Sequence, residues 1–584
     1  MLADEEIGLK KYLPCMIMTL LLILTTAVCL TVEKRMEPMK QGQQTDVAFR
    51  VPAGDREEEI SWWPEYAEHA YVFLPSYAEL KDVSVILGNG IHATIGDVTL
   101  SDGMDCGSFA LNTDYEMVIQ DQNPAKLRFV RSGNLPTMFI HTVSGTEETI
   151  HTQRNVWEYA QLCLVDAEGT IVYQDDLDEI SGRGSGTWFF DKKSYNLKLN
   201  HPADLLGMGS GKKWVLLADV IDESHLRNKL VYDFAREMES YSGFAPNCEH
   251  TDVFLNGSYV GLYLLTEKIE IAANRVEADP ENIILFEVDA LGRSERMLLP
   301  FVLDWGTAVG IKSPESCTEQ DRDRLMDYVY EFQDTLLDES KGEEALQYID
   351  LESWARRYLI DEIFENYDGG CHSQFFFWNQ RPGEDKRIMA GPCWDYDNCA
   401  DSWFMAKQNP RCFLMQRMWK NEGEHTPWYG TLMKKETFRE RVEELYRKEM
   451  SSRLHQMIEE DLQKKAEFLQ SALEMNATRW NLADPTEAVR HFHDFMEERI
   501  AFLDSAWIDG VEYKTVTAKS IWDYRYYCTQ SGTICEDIPI PEELGVEKGS
   551  VWIREDTGEL FDPRSVITED FTIISVPGEE TGAA

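Results

Sequence analysis

The middle of the chain, residues 134 to 510, begins with short segments in which hydrophobic and polar positions alternate. Three of these segments read PTMFIHTV (136–143), YAQLCLVD (159–166) and SYNLKLN (194–200). An alternation of period two predicts half-buried strands. The run TDVFLNGSYVGLYLLTEKIEI (251–271) predicts a hairpin, because Asn256-Gly257 is the strongest short turn signal.

The same region also contains segments of helical period, most of them later in the chain. At 224–239, hydrophobic residues recur every four positions behind Ser224, a predicted N-cap. Two further helices are predicted at 321–337 and 351–366, and residues 436–474 keep a helical pattern for many turns. Strands followed by helices predict a two-lobed α+β layout for residues 134–510.

Two smaller segments flank this region and have a different pattern. Residues 61–133 contain the strand-like pieces VSVILG, ATIGDVTL and YEMVIQ between turn residues, which predicts a small β-sandwich-like domain. Residues 511–584, with IWDYRYYC and GSVWIRE, predict a second small β module. Residues 33–60 are polar and charged, as expected of a linker.

An uninterrupted hydrophobic run, residues 13–32, has the ~20 residues that a membrane helix needs. It predicts a transmembrane helix with residues 1–12 in the cytoplasm. A cleaved secretory signal is the alternative, although charged residues follow the run at once and no small-residue cleavage site precedes them. The short N-terminus and large remainder predict a single-pass protein of the cell membrane with its bulk extracytoplasmic.

The composition excludes one class of partner. The chain has 584 residues, too many for one core, and a formal net charge of -48 at pH 7. Such a charge repels polyanions, and the chain has no basic stripe with interleaved aromatic residues, so nucleic acid is not expected as a partner. An acidic surface favours a basic polypeptide instead, through electrostatic steering.

The stretch GPCWDYDNC (391–399) places Asp395 and Asp397 on either side of one tyrosine. In a strand, residues two apart point to the same face, so the two carboxylates would converge. Two like charges held that close need a cation, a shared proton or good solvation. The pair therefore predicts a divalent-metal site or, alternatively, an exposed and water-filled turn.

A second stretch, SGRGSGTWFFDKKSYNLKL (181–199), alternates glycines and then continues into a strand that carries Lys192, Lys193 and Lys198. Closely spaced glycines let backbone N–H groups approach phosphate oxygens, and a lysine on the next strand neutralises them. The alternative is a glycine-rich hairpin whose lysines are solvated.

A third stretch, EIFENYDGG (362–370), ends a predicted helix and places Asp368 in the loop behind it. A carboxylate there reaches outward as a base, or else only terminates the helix together with the two glycines.

The predicted segments follow one another along the chain as glycine loop, lysine strand, hairpin, helix, loop aspartate and Asp-x-Asp. This is the order of parts in a protein kinase, although the usual HRD and DFG signatures are absent.

Five ordered segments resemble a known family. GRGSGTW with KKSYNLKL, then KKWVLLADVIDESHLRNKLVYDFAREM, VFLNGSYVGLYLLTEKIEI, DEIFENYDGG and AGPCWDYDN are similar to the spore coat protein CotH kinase family, over about residues 136–505. The resemblance implies an atypical kinase with a protein-kinase-like fold. It also implies that ATP and a divalent metal, Mg or Mn, are used on secreted or envelope proteins.

By position, the resemblance implies Asp368 as the catalytic base and Asp395 and Asp397 as ligands of a metal that bridges ATP phosphates. Lys198 is the predicted phosphate-pairing lysine, because its neighbours leave it on the opposite face of the strand, with Lys193 as the alternative. Two further residues are predicted to bind the nucleotide: Arg183 in the glycine loop and Glu267 at the end of the hairpin.

The chain departs from the family pattern at Ser185, where the family often has asparagine, and at Gln374, which replaces an asparagine before a strand. The leading hypothesis is a protein serine/threonine kinase that acts on an exported or cell-envelope protein. A pseudokinase or surface scaffold that binds without turnover is one alternative. Metal-dependent hydrolysis by the Asp-x-Asp pair is another.

Overall fold

A computed structural model describes residues 46–578 of the chain. It leaves out 66–68, 121, 239–240, 305, 371, 381–384, 403–407, 417–426, 520–523, 545 and 547. The predicted membrane segment 13–32 lies outside the described residues.

The first nine strands form two sheets on one core. Their bounds are β1 (Val47–Ala53), β2 (Arg56–Ile60), β3 (Trp63–Glu65), β4 (His69–Leu74), β5 (Ser84–Leu87), β6 (Ala93–Ile95), β7 (Val98–Thr99), β8 (Asp114–Ile119) and β9 (Ala125–Arg131). One sheet has the strand order β2-β1-β5 and the other β3-β4-β9-β8-β6-β7. Phe49 of the first sheet and Phe129 of the second are both buried in the shared core.

The next seven strands close into a barrel. Its elements are β10 (Thr137–Thr142), α1 (Glu148–Thr152), β11 (Trp157–Val165), β12 (Ile171–Arg183), β13 (Ser194–Asp204), β14 (Ser210–Leu217), α2 (Arg227–Glu237), β15 (Cys248–Leu255) and β16 (Ser258–Glu267). The strand order is β10-β11-β12-β13-β14-β16-β15, and parallel pairing of β10 with β15 closes the ring. Leu197, Trp214 and Leu265 belong to the barrel's own buried core.

The predicted hairpin is present as β15 and β16. Leu255 pairs with Ser258 across the turn, and the two residues between them have positive φ angles, 49° at Asn256 and 79° at Gly257. Both angles are those of a type I′ turn, which asparagine and glycine adopt at low cost. The Asn256 side chain also accepts a hydrogen bond from the Thr142 backbone N–H at 2.9 Å, so the turn is fixed against β10.

A five-stranded sheet and a set of helices follow the barrel. The strands are β17 (Ile283–Ala290), β18 (Leu298–Val302), β19 (Thr307–Ser313), β20 (Gln374–Asn379) and β21 (Met389–Ala390), with α3 (Glu319–Leu337) and α4 (Leu351–Ile363) between β19 and β20. The sheet order is β18-β19-β17-β20-β21. The later helices are α5 (Trp428–Leu432), α6 (Glu436–Leu445), α7 (Ser451–Gln456), α8 (Leu462–Trp480) and α9 (Pro485–Trp507).

The last described strands form two small sheets. They are β22 (Tyr513–Lys519), β23 (Tyr524–Gln530), β24 (Thr533–Ile534), β25 (Ser550–Arg554), β26 (Val566–Ile567) and β27 (Phe571–Pro577). Four of them are ordered β23-β22-β27-β25, and β24 pairs with β26. Buried Val516, Trp552 and Ile573 form their core.

The predicted fold class is wrong in its architecture. We expected a two-lobed kinase-like core between β-sandwich-like modules, behind a transmembrane helix. The described residues are α+β but dominated by strands, and they include a closed seven-stranded barrel. Local periodicity predicts the strands but not the closure of the barrel. Closure depends on the pairing of β10 with β15, in which Met138 lies opposite Val253, more than a hundred residues away in the sequence.

The predicted single-pass location in the cell membrane has no support from the described residues, among which no helix is long and apolar enough to cross a membrane. The hydrophobic run on which that prediction rested is among the residues that the structure does not describe.

Candidate functional site

Asp395 and Asp397 lie in a loop behind β21 and not in the strand assumed from their spacing. Asp395 has a left-handed backbone with φ of 69°, a conformation that is uncommon for residues other than glycine and concentrates at functional sites. Its backbone N–H donates to the Tyr232 hydroxyl at 3.1 Å. Its carboxylate accepts a hydrogen bond from the Ser373 hydroxyl at 2.9 Å.

The aromatic residues of the same loop hold it in place. Trp394 and Tyr396 are both buried and both contact the Tyr232 ring, with centroids 6.1 and 6.2 Å away. The Tyr396 backbone N–H donates to the Asn228 side chain at 2.8 Å. Because the aromatic residues occupy the core, the aspartates that alternate with them remain only partly buried.

The two aspartates interact electrostatically. Burial raises the pKa of the Asp397 carboxyl well above its ordinary value, and the negative charges of Asp395 and Asp219 raise it further. The effect of Asp395 and Asp219 on the pKa of Asp397 indicates that these like charges lie close together.

Asp219 joins this cluster from the segment behind β14, and the sequence analysis missed it. Burial raises the pKa of Asp219 to about 7, with a further contribution from Asp222. One of its oxygens accepts a hydrogen bond from the Asn228 amide at 2.8 Å, and the other has no partner among the described residues. The available signal was the acidic segment ADVIDES, residues 218–224.

Asp368 lies in the loop behind α4, as predicted, and is half-buried. Burial raises the pKa of its carboxyl to about 6; the neighbouring His372 lowers it and Asp395 raises it. His372 is itself held by Asp289, with 2.9 Å between the ring Nδ1 and the carboxylate. Asp368, Asp395, Asp397 and Asp219 therefore form one electrostatic cluster.

The chemistry of this cluster fits a hard divalent cation, although its geometry is not that of a formed metal site. Carboxylate and amide oxygens are the ligands that Mg²⁺ prefers. Besides Asp219, the buried Asn398 has an amide oxygen without a partner among the described residues. Within the described part of the chain, no group of three or more His, Cys, Asp or Glu side chains is arranged to hold a metal. Asp395 and Asp397 as metal ligands stay a prediction.

Gln374, one of the departures from the family pattern, is engaged inside the protein. Its side-chain oxygen accepts a hydrogen bond from Arg357 at 2.9 Å, and its amide donates to the His372 carbonyl at 3.2 Å. Arg357 also donates to Asp361 at 3.0 Å. The Gln374 oxygen therefore orients Arg357 and is not directed at the acidic cluster.

Arg183 is the last residue of β12 and faces the acidic cluster. Burial lowers the pKa of its guanidinium, and the opposing charges of Asp395 and Asp397 are among the groups that raise it. The guanidinium carbon lies 5.6 Å from the centroid of the Trp394 ring. It forms neither a hydrogen bond nor an ion pair with any residue that the structure describes.

Lys268, directly behind β16, is a second cation that the sequence analysis missed. Burial lowers the pKa of its ammonium to about 8, and repulsion from Lys312 and Arg183 lowers it further. Lys312 itself pairs with Glu287 at 3.0 Å. Arg183 and Lys268 thus form a locally basic region, and Arg183 lies beside the acidic cluster.

The three lysines of the glycine-rich segment have different environments. Lys198 lies opposite Lys213 in the neighbouring strand, between the buried Leu197 and Leu199, and so on the strand face opposite these leucines, which is the outer face of the barrel. Lys193 donates to the Trp188 and Phe190 carbonyls at 2.6 and 2.5 Å, which fixes the segment behind the glycines.

The third of these lysines, Lys192, is buried and contacts the protein interior. Its ammonium donates to the Leu262 carbonyl at 2.5 Å. Burial lowers the pKa of Lys192 to about 7, while Asp219 and Asp252 raise it. Of the three lysines, Lys192 is the one with a resolved electrostatic contact to Asp219.

Glu267 is buried at the end of β16, where the sequence analysis expected a residue that binds the nucleotide. Its carboxylate pairs with Arg275 at 2.5 Å and accepts a hydrogen bond from the Asn247 backbone N–H at 2.8 Å. These contacts are structural, and the structure does not connect Glu267 with the acidic cluster.

Local packing and backbone conformation explain why residues 182 and 184, before these lysines, are glycine. A Cβ at Gly182 would meet the Trp188 ring, and Gly184 has a φ of 117°, which favours glycine. The Gly184 carbonyl accepts a hydrogen bond from Arg154 at 3.1 Å. Packing and backbone conformation therefore account for Gly182 and Gly184, whatever the segment binds.

The family model described as CotH kinase protein matches residues 180–503, more than half of the chain. The match begins at the end of β12 and ends in α9, so it contains Arg183 and every aspartate of the cluster. Among curated proteins, none matches the chain.

Proposed function

Because the chain belongs to the CotH kinase family, we propose that it transfers the γ-phosphate of ATP to a serine or threonine hydroxyl of a protein substrate. One observation carries the proposal. The cation Arg183 forms no hydrogen bond or ion pair among the described residues, and it lies close enough to Asp395 and Asp397 to be attracted by their carboxylates. Phosphoryl transfer needs a cationic contact and a metal-holding carboxylate on either side of the same phosphates.

Asp368 is proposed to accept the proton of the attacking hydroxyl. A carboxyl with a pKa of about 6 is mostly ionised at pH 7, and it is a stronger base than an ordinary aspartate. His372 and Arg293 provide positive charge beside it, and Asp289 orients both of these groups. The positive charges that favour the ionised form of Asp368 are therefore oriented by Asp289.

Arg183 and Lys268 are proposed to bind the phosphates, and Lys198 remains the lysine proposed from the sequence for the same purpose. Asp395 and Asp397 would hold Mg or Mn, with the oxygens of Asp219 and Asn398 nearby. When bound, the metal neutralises charge on the transferring phosphoryl group. The raised pKa values of Asp219 and Asp397 support this assignment, because a divalent cation would offset the repulsion between the carboxylates.

The full chain incubated with γ-labelled ATP, Mg²⁺ and a basic acceptor protein tests the proposal. We expect labelled phosphoserine or phosphothreonine in the acceptor, and loss of that label in Asp368→Asn. The matched control is Asp327→Asn, an exposed aspartate on α3. Transfer that persists in Asp368→Asn, or no transfer by the wild type, would contradict the proposal.

Nucleotide binding without turnover is the second candidate function. It is favoured by Gln374, because this residue stands where the family pattern has asparagine and its oxygen is bonded to Arg357. The same incubation distinguishes the two functions: this candidate requires that ATP stabilises the wild-type chain against heat while no label reaches protein.

A further inference from the structure

A cavity lies outside the acidic cluster, where α1, the barrel, strand β3 and helix α8 meet. Its volume is about 420 Å³, within the usual range for small-molecule sites. Four aromatic side chains contribute to its lining: Trp63, Tyr195, Tyr263 and Trp480. The residues assigned above to the proposed kinase function do not line it, apart from Lys193, the alternative phosphate-pairing lysine.

Arg479 is the informative residue in this cavity. It is only 7% exposed, and its guanidinium carbon lies 3.4 Å from the Trp63 ring centroid and 4.2 Å from that of Trp480. The Nε group donates to the Tyr259 carbonyl at 2.8 Å, while Nη1 has no partner among the described residues. With indole rings against the guanidinium, its in-plane N–H groups remain for an additional acceptor.

A buried arginine with an unsatisfied N–H is costly unless an acceptor is supplied. Lys193, the other cation of the lining, already donates to two backbone carbonyls. The in-plane N–H groups of a guanidinium match the two oxygens of a carboxylate or phosphate.

The acidic residues of the lining favour a carboxylate over a phosphate. Glu147, Glu148 and Asp191 also line the cavity, so a dianion would meet more repulsion than a monoanion. The aromatic rings add apolar surface for a flat body. We propose that this cavity binds a small monocarboxylate with a flat apolar body, whose carboxylate is held by the in-plane N–H groups of Arg479.

Calorimetry on the full chain tests this proposal independently of any kinase activity. The probes are 3-phenylpropionate, phenethylamine, which has the same ring but no carboxylate, and inorganic phosphate. We expect 3-phenylpropionate to bind with a Kd below ~1 mM, and the other two to bind at least about tenfold more weakly. Absence of measurable 3-phenylpropionate binding, or equal binding of phenethylamine or phosphate, would overturn the proposal.

Two variants test whether 3-phenylpropionate binds in this cavity. Arg479→Lys keeps the charge but loses the planar group, so affinity should fall about tenfold or more. Ser258→Phe fills the cavity from β16 without changing Arg479, and should also prevent binding. The control is Arg490→Lys, an exposed arginine on α9. If Arg479→Lys does not fold, Ser258→Phe decides, because unchanged binding in that variant contradicts the site.

Discussion

The hydroxyl of Tyr396 donates a 2.6 Å hydrogen bond to the buried carboxylate of Asp361. Tyr396 separates the two aspartates of the Asp-x-Asp loop, and Asp361 lies in the last turn of α4, just before the loop of Asp368. The Asp361 carboxylate also accepts a hydrogen bond from Arg357, and its backbone carbonyl accepts one from the Asn366 N–H at 2.9 Å. One buried contact thus joins the proposed metal loop to the loop of the proposed base.

Tyr396→Phe should loosen this connection. The variant leaves a buried carboxylate oxygen with one partner fewer, which costs about 1–3 kcal/mol of unfolding free energy. We expect a lower urea midpoint and a lower kcat. Tyr330→Phe is the control, because the Tyr330 hydroxyl donates to the Val302 carbonyl far from the cluster. An unchanged midpoint in Tyr396→Phe would contradict the structural role of the contact.

Arg183→Met should weaken ATP binding. Removing a charge-assisted contact to phosphate costs on the order of 1.5–3 kcal/mol, or about tenfold or more in the KM for ATP. Lys268→Met should act in the same direction. Steady-state kinetics with varied ATP measures both, and Arg322→Met, an arginine paired with Asp323 on α3, is the control. If neither variant changes the KM, the basic region does not bind the nucleotide.

Lys198→Met tests the lysine that was predicted from the sequence. The structure places Lys198 on the outer face of the barrel without a hydrogen bond or ion pair to any described residue. We expect its KM for ATP to rise less than that of Arg183→Met. A larger rise would show that Lys198 is the main phosphate ligand, as the sequence alone suggested.

The fold and site were predictable only in part. The Asn256-Gly257 hairpin and the third helix follow from local patterns, and α3 (Glu319–Leu337) overlaps the predicted 321–337 closely. Closure of the barrel depends on strand pairing across a long sequence separation, which no local pattern encodes. Asp219 and Lys268 were missed for a related reason: each follows a strand, and only the folded chain brings it to the cluster.

The pH dependence of activity should report Asp368. Its pKa in the folded protein is about 6, above the ordinary value of 3.8, so the basic form is present above pH 6 and is lost as the pH falls through that value. We expect kcat/KM to fall about tenfold for each pH unit below the pKa. A profile measured between pH 5 and 8 decides this, since a kcat/KM that stays constant down to pH 5 would contradict the perturbed pKa.

Asp219→Asn should stabilise the protein at high pH when divalent metal is absent. The pKa of Asp219 is raised from 3.8 to about 7, so the unfolded chain releases this proton at lower pH than the folded chain does. Stability is therefore lost as the pH rises from about 4 to about 7. Asparagine removes that loss and can still accept the Asn228 hydrogen bond.

Urea unfolding in EDTA at pH 8 and at pH 4 measures this effect. We expect the variant to be more stable than the wild type at pH 8, with a smaller difference at pH 4. Lower stability of Asp219→Asn at pH 8 would mean that the charge of Asp219 is compensated inside the protein. The repulsion on which the metal assignment rests would then be absent.

The most direct test of the account is the rate of γ-phosphate transfer from labelled ATP, measured in parallel for the wild type and Asp395→Asn at varied Mg²⁺ or Mn²⁺. Asparagine keeps the shape of the side chain and removes its charge. The account predicts transfer by the wild type that disappears in EDTA, and a variant that is inactive or needs far more metal. Equal transfer by both proteins at every metal concentration would contradict it.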